Sequence, residues 1–79
     1  MHYVYIIQSA ALPEKFYTGQ TSDLERRIAE HNRHRRKYSS RYKPWKLRTY
    51  FAFDLKDRAI AFERYLKTPN GRALAKKRF

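Results

Sequence analysis

The stretch His2-Tyr3-Val4-Tyr5-Ile6-Ile7-Gln8 decides how the rest of the chain is read. Its residues are β-branched or aromatic almost throughout, side chains that suit a pleated surface and lose rotamer freedom in a helix. It reads as a β-strand. Alternation puts Tyr3, Tyr5 and Ile7 on one face, and Val4, Ile6 and Gln8 on the other. Residues 9–14 include Pro13 and small side chains, the signature of a loop. Lys15-Phe16-Tyr17-Thr18-Gly19 then forms a second short strand, completing an antiparallel hairpin with the first.

Working outward, Ser22-Asp23-Leu24-Glu25 has the capping-box pattern, with Ser22 at the N-cap and Glu25 three residues later. It predicts a helix over about residues 23–32 with Leu24 and Ile28 on its buried stripe. The polar stretch 33–43 reads as a loop, and Pro44 bars a helix there. Residues 47–53 alternate well enough for a third strand. Trp45, between Pro44 and Leu47 at the strand's beginning, is expected in the core. Asp54 or Asp57 caps a second helix through about Lys67, which Pro69, Asn70 and Gly71 interrupt. Residues 72–78 form a short basic third helix. The order β-β-α-β-α-α predicts an α+β fold, a three-stranded antiparallel sheet flanked by helices, in a single domain over residues 1–79.

A chain of 79 residues lies near the lower end of what folds without help. Its 42% hydrophobic and 16% aromatic content separates it from disordered chains despite 33% charged residues. The absence of Cys excludes disulfides and thiolate metal sites, and makes the cytoplasm the expected compartment. No apolar run approaches the ~20 residues that span a bilayer. Met1-His2-Tyr3-Val4-Tyr5 does not begin a signal peptide, so no membrane association is expected.

Charge says more. Nineteen Lys and Arg against seven Asp and Glu give +12. Residues 33–48 hold eight of the bases and no acid, and residues 64–79 hold six and no acid, whereas the first 32 residues hold three bases and four acids. Two basic blocks on a nearly neutral framework point to a polyanion, nucleic acid first among them. Arg33, Arg35, Arg36, Lys37, Arg41, Lys43 and Lys46 surround Tyr38, Tyr42 and Trp45, and Arg72 opens the second block. Cations interleaved with aromatics suit a single strand, whose phosphates pair and whose bases stack.

Three polar residues break the amphipathic pattern. Arg27 lies about 60° and His31 about 20° around the first helix from Leu24, on the side that should be apolar. Glu63 lies among Ala59, Phe62 and Leu66, where a carboxylate is costly unless paired or bound to a cation. Each has a plain structural alternative. Arg27 could pair with Glu63 as a buried bridge, His31 could interact with the helix dipole, and Tyr5 and Tyr17 could be core aromatics.

Taken together these residues resemble a known family. Tyr3-Val4-Tyr5 followed by Tyr17-Thr18-Gly19 resembles the paired motifs of the GIY-YIG nuclease superfamily. Residues 21–32, Pro44-Trp45-Lys46-Leu47 and Ala61-Phe62-Glu63-Arg64-Tyr65-Leu66-Lys67 are similar to small stand-alone members related to the nuclease half of the UvrC repair protein. The resemblance covers nearly the whole chain. It implies a metal-dependent endonuclease that hydrolyses phosphodiester bonds, with DNA favoured over RNA, in a monomer or weak dimer. It implies Tyr5 and Tyr17 as the motif tyrosines, Arg27 as the catalytic arginine, His31 as the accompanying histidine and Glu63 as ligand to one Mg²⁺ or Mn²⁺. Two departures stand out: Tyr3 replaces the usual first-motif Gly, and Asn70 is the sole candidate for the Asn that often follows the glutamate.

Phosphate chemistry assigns the roles. Mg²⁺ commonly binds through one or two carboxylates and keeps several waters, which a single Glu63 fits. Arg27 offers a planar fork of donors to phosphate oxygens. Tyr5 is expected to act as general base, a role for which a tyrosine's ordinary pKa of ~10 suits it only near cations. Tyr17 and His31 orient groups or relay protons. Two other readings compete: a non-catalytic nucleic-acid-binding module of the same fold, and a basic RNA- or ribosome-associated protein of unrelated fold. The second explains the charge but not the inward polar residues.

Overall fold

β1 (His2–Ser9) is the middle strand of a three-stranded sheet, with β2 (Phe16–Thr21) along one edge and β3 (Trp45–Phe53) along the other, both antiparallel to it. The computed structural model describes residues 1–33 and 41–79. Helix α1 (Leu24–Arg33) lies between β2 and β3 in sequence, and α2 (Lys56–Leu66) and α3 (Pro69–Arg78) follow β3. The fold is therefore α+β in the order β-β-α-β-α-α.

Helices cover both faces of this sheet, which explains the β1 sequence. Val4, Tyr5, Ile6 and Ile7 are all buried, because successive side chains point to opposite faces and each face is capped. Val4 and Ile6 pack with Ala59 and Leu66 of α2, joined by Phe53, Phe62 and Ala75. Tyr5 and Ile7 pack with Trp45, joined by Tyr17, Leu24, Ile28 and Tyr42. Trp45 is the buried first residue of β3, so the third strand begins two residues before the expected 47. β2 runs one residue late and two residues further than expected, to Thr21.

Three helix signals resolve differently from the sequence expectation. The first helix begins at Leu24, and its cap is Asp23 rather than Ser22: Asp23 Oδ1 accepts from the Arg26 N–H at 3.2 Å. The Asp23 N–H in turn donates to Thr21 Oγ1 at 3.1 Å, which fixes the turn and moves the helix one residue on. Neither Asp54 nor Asp57 caps α2; its N-cap is Leu55, with no side-chain cap hydrogen bond, and Asp57 lies in the first turn where its charge favours the helix dipole. Pro69 does not interrupt a helix but opens α3, since a first-turn residue needs no N–H partner. Thr68 caps it, its Oγ1 accepting from the Gly71 N–H at 3.1 Å. Arg33, expected in a loop, closes α1. The expected loop over residues 34–40 lies outside the described residues.

Candidate active site

Tyr5 sits at the centre of β1, directly opposite Gly19 on β2 and Tyr50 on β3. It is 2% exposed, and its hydroxyl shares a 2.9 Å hydrogen bond with Nε2 of His31, which is 5% exposed. The amphipathic stripe of α1 delivers that imidazole. Leu24 and Ile28 pack on the Tyr5–Ile7–Trp45 cluster, and His31 continues the stripe one turn later. The ring of Tyr17, opposite Ile7, lies 4.8 Å from that of His31 and 6.4 Å from that of Tyr5. Trp45 closes the group, 6.3 Å from His31 and 6.5 Å from Tyr17. A hydrogen-bonded tyrosine–histidine pair thus sits in an aromatic enclosure, with the half-buried Tyr17 as its more accessible member.

Arg27 and Glu63 approach this group by different routes. Arg27 lies one turn before His31 on α1, 35% exposed, with its Nε 3.7 Å from Glu30. Glu63 lies on α2, 20% exposed, with its carboxylate 2.9 Å from Lys67 Nζ. That ammonium is 5.9 Å from the centre of the Tyr17 ring. Each of these two residues therefore pairs on its own side, and the buried Arg27–Glu63 bridge open to the sequence is not the pairing either makes. His31 is fully interior, whereas Arg27 and Glu63 are only half-buried. Asn70 is exposed in the first turn of α3.

Comparisons with known proteins agree on the family of the chain. The model of the GIY-YIG catalytic domain matches residues 1–78. The chain belongs to the GIY-YIG family. It is 38% identical over 68 residues to a UPF0213 protein of Haloquadratum walsbyi, covering 85% of this chain and 74% of that one. A UPF0213 protein of Halobacterium salinarum is 40% identical over 68 residues, covering 85% and 86%. The solution structure of a UPF0213 protein from Bacillus halodurans superposes with a TM-score of 0.57 at 30% identity, covering 96% of this chain and 82% of that one. GIY-YIG is a nuclease family, and its members typically use a divalent metal.

The donors on this GIY-YIG chain fit a hard cation of sparse protein ligation. Among the described residues no three His, Cys, Asp or Glu cluster to form an all-protein cage. Glu63 is a carboxylate already held against a cation, and Mg²⁺ typically takes one or two carboxylates and completes its shell with water and substrate oxygens. Of the basic residues singled out in the sequence, Arg33, Arg41, Lys43, Lys46 and Arg72 are exposed. Arg35, Arg36 and Lys37 lie outside the described residues. No helix among the described residues is long and apolar enough to cross a membrane.

The structural roles of three residues within the quoted motifs were not read from the sequence. A Cβ built on Gly19 would collide with the Tyr5 hydroxyl and Cζ, so only glycine leaves room for that phenol. A glycine inside a strand signals such an approach. Asn32 Nδ2 donates to the Trp45 carbonyl at 2.9 Å and its Oδ1 accepts the Trp45 N–H, which pins the end of α1 to the start of β3. Arg33 and Lys46 consequently flank a clamp beside His31. Lys67, four residues after Glu63, carried the i,i+4 pairing signal of a helix.

Proposed function

We propose that residues 1–79 form one nuclease domain, a metal-dependent endonuclease that hydrolyses phosphodiester bonds in DNA, single-stranded or structured, in the cytoplasm. The observation that carries this reading is the buried Tyr5–His31 hydrogen bond packed against Tyr17, in a chain of the GIY-YIG family. A phenol joined to an imidazole acceptor can take a proton from an attacking water while handing its own to Nε2, so negative charge need not accumulate on an isolated tyrosine. Tyr5 is the general base and His31 the proton acceptor. Tyr17, the more accessible ring, orients the water.

Arg27 supplies positive charge for the phosphate. Its guanidinium is half-exposed and, among the described residues, pairs with Glu30 of its own helix at 3.7 Å, so its donors can turn to non-bridging phosphate oxygens. Glu63 would hold Mg²⁺ or Mn²⁺, which when bound supplies neutralisation of the phosphate and help for the leaving oxygen. Arg33, Arg41, Lys43, Lys46 and Arg72, with Arg35, Arg36 and Lys37, hold the backbone by charge. The test is nicking of supercoiled plasmid, and cleavage of labelled single-stranded, duplex, flapped and RNA oligonucleotides, with Mg²⁺ and with chelator. Metal-dependent cutting of DNA is expected. Binding without cutting under every metal condition would leave a nucleic-acid-binding module in place of the enzyme.

A further inference from the structure

Lys67 stands where two parts of the site meet. It follows directly on α2, its Nζ is 2.9 Å from Glu63 Oε2, and the same ammonium lies 5.9 Å from the Tyr17 ring centre. Its side chain is 49% exposed, so a flexible four-carbon stem can swing without disturbing the core. Glu63 is more enclosed, at 20%. We propose that Lys67 holds the place of the metal at Glu63 and moves to a substrate phosphate when the metal enters, so that metal and nucleic acid load the site cooperatively. This rests on the reading of Glu63 as the metal ligand.

The physical argument is one of shared charge. Lys67 occupies Glu63 Oε2, and a divalent cation bound to that same oxygen would repel the ammonium at close range, so the two compete for it. Entry of the metal therefore displaces Lys67. The displaced ammonium remains beside Tyr17, where the scissile phosphate must come to reach the Tyr5–His31 pair. An ammonium is a competent point-charge partner for phosphate. Phosphate binding draws Lys67 from Glu63 and opens the carboxylate to metal; metal binding frees Lys67 for phosphate. The coupling is reciprocal by linkage.

The test reads binding, not only cleavage. Mn²⁺ affinity of the free chain is measured by electron paramagnetic resonance for wild type, Lys67→Met, Glu63→Gln and Lys77→Met, the last removing an equal charge from an exposed site on α3. Displacing a half-exposed ion pair is worth about two- to fivefold in an equilibrium constant. Lys67→Met should therefore bind Mn²⁺ about two- to fivefold more tightly than Lys77→Met, with Lys67→Gln behaving alike. Separately, anisotropy of a labelled single-stranded DNA is followed in a Tyr5→Phe background with and without Mn²⁺. The Mn²⁺-dependent tightening should shrink by a similar factor when Lys67→Met is added. If Glu63→Gln loses Mn²⁺ binding but Lys67→Met gains none over Lys77→Met, or the tightening is unchanged, the place-holding role is overturned while the metal assignment stands. Equal Mn²⁺ binding by wild type and Glu63→Gln overturns both.

Discussion

Tyr5→Phe removes one oxygen atom and nothing else, which makes it the sharpest probe of the site. The lost hydroxyl bonds His31 Nε2 at 2.9 Å between two residues that are 2% and 5% exposed. Deleting one partner of a buried hydrogen bond costs about 1–3 kcal/mol, because the other partner is left desolvated. A domain of 60–100 residues loses about 4–8 °C in Tm per kcal/mol, so a loss near the middle of that range lowers Tm by about 8–16 °C. No clash is relieved in compensation, since Gly19 already leaves the hydroxyl its room. The catalytic effect is larger. A general base contributes about 10²–10⁴-fold, so cleavage of a labelled oligonucleotide at 20 °C should fall by at least ~100-fold while anisotropy shows binding changed by less than about twofold. Tyr17→Phe, at a more accessible ring, should cost less stability. A Tyr5→Phe protein with the expected Tm but cleavage within a few-fold of wild type would refute the base assignment and leave the hydroxyl a packing element. An unchanged Tm would refute the energetic reasoning itself.

Other outcomes follow from the same geometry. Gly19→Ala drives a methyl into the Tyr5 hydroxyl; overpacking of this kind costs about 1–3 kcal/mol, and both Tm and cleavage should fall together in melting and oligonucleotide assays. Glu63→Gln should abolish cleavage yet shift Tm by less than about 8 °C, because its partner is the half-exposed Lys67 and such pairs are worth about 0.2–1 kcal/mol; a much larger loss of stability would mean that Glu63 is a scaffold residue. DNA binding should weaken steeply with salt, and neutralising Lys46 and Arg72 together should lower the slope of log affinity against log salt by about 1.4 for a single strand.

Much of the fold was legible because the local signals agreed. The β-branched and aromatic run of β1 read as a strand, and the six elements follow in the expected order. The misses came where two neighbouring residues could serve one role. Ser22 and Asp23 both cap well, and the Thr21 hydroxyl decided in favour of Asp23 by bonding its N–H. Pro69 was read as a breaker when Thr68 made it a first-turn residue. At the site, His31 was legible as a polar residue on an apolar stripe, and it is buried there. The partners of Arg27 and Glu63 were not legible, because pairing depends on which sheet face each helix covers, and sequence periodicity gives the face of a helix but not its neighbour. Lys67 stood four residues from Glu63 in the quoted motif, yet its pairing with that carboxylate was not read.

The core and the site cannot be separated in a chain this small. Among the described residues, one hydrophobic cluster is built from Tyr5, Ile7 and Trp45 with Tyr17 around them, and the same rings enclose His31. Tyr5 and Tyr17 are core aromatics by packing, their rings supplying buried area, and in the proposed mechanism their hydroxyls also supply the chemistry. Substitutions that remove a ring test folding, and those that remove only an oxygen test function. The opposite cluster, Val4, Ile6, Ala59 and Leu66, contains no such polar group. It fixes α2 against the sheet, and α2 carries Glu63 and Lys67 to the Tyr17 side of the molecule. Helix α1 thus carries the His31 half of the proposed machinery and α2 the Glu63 half, with the Lys67 ammonium between Glu63 and the Tyr17 ring. A destabilised α2, as Gly71→Ala should produce by forcing its methyl into the Tyr65 carbonyl, would loosen Glu63 without touching the Tyr5–His31 bond. Metal binding would then weaken before metal-free DNA binding does, which Mn²⁺ titrations and DNA titrations in chelator would reveal as a raised Mn²⁺ requirement at unchanged metal-free DNA affinity. Equal losses of both would mean that the two halves fold and fail as one unit.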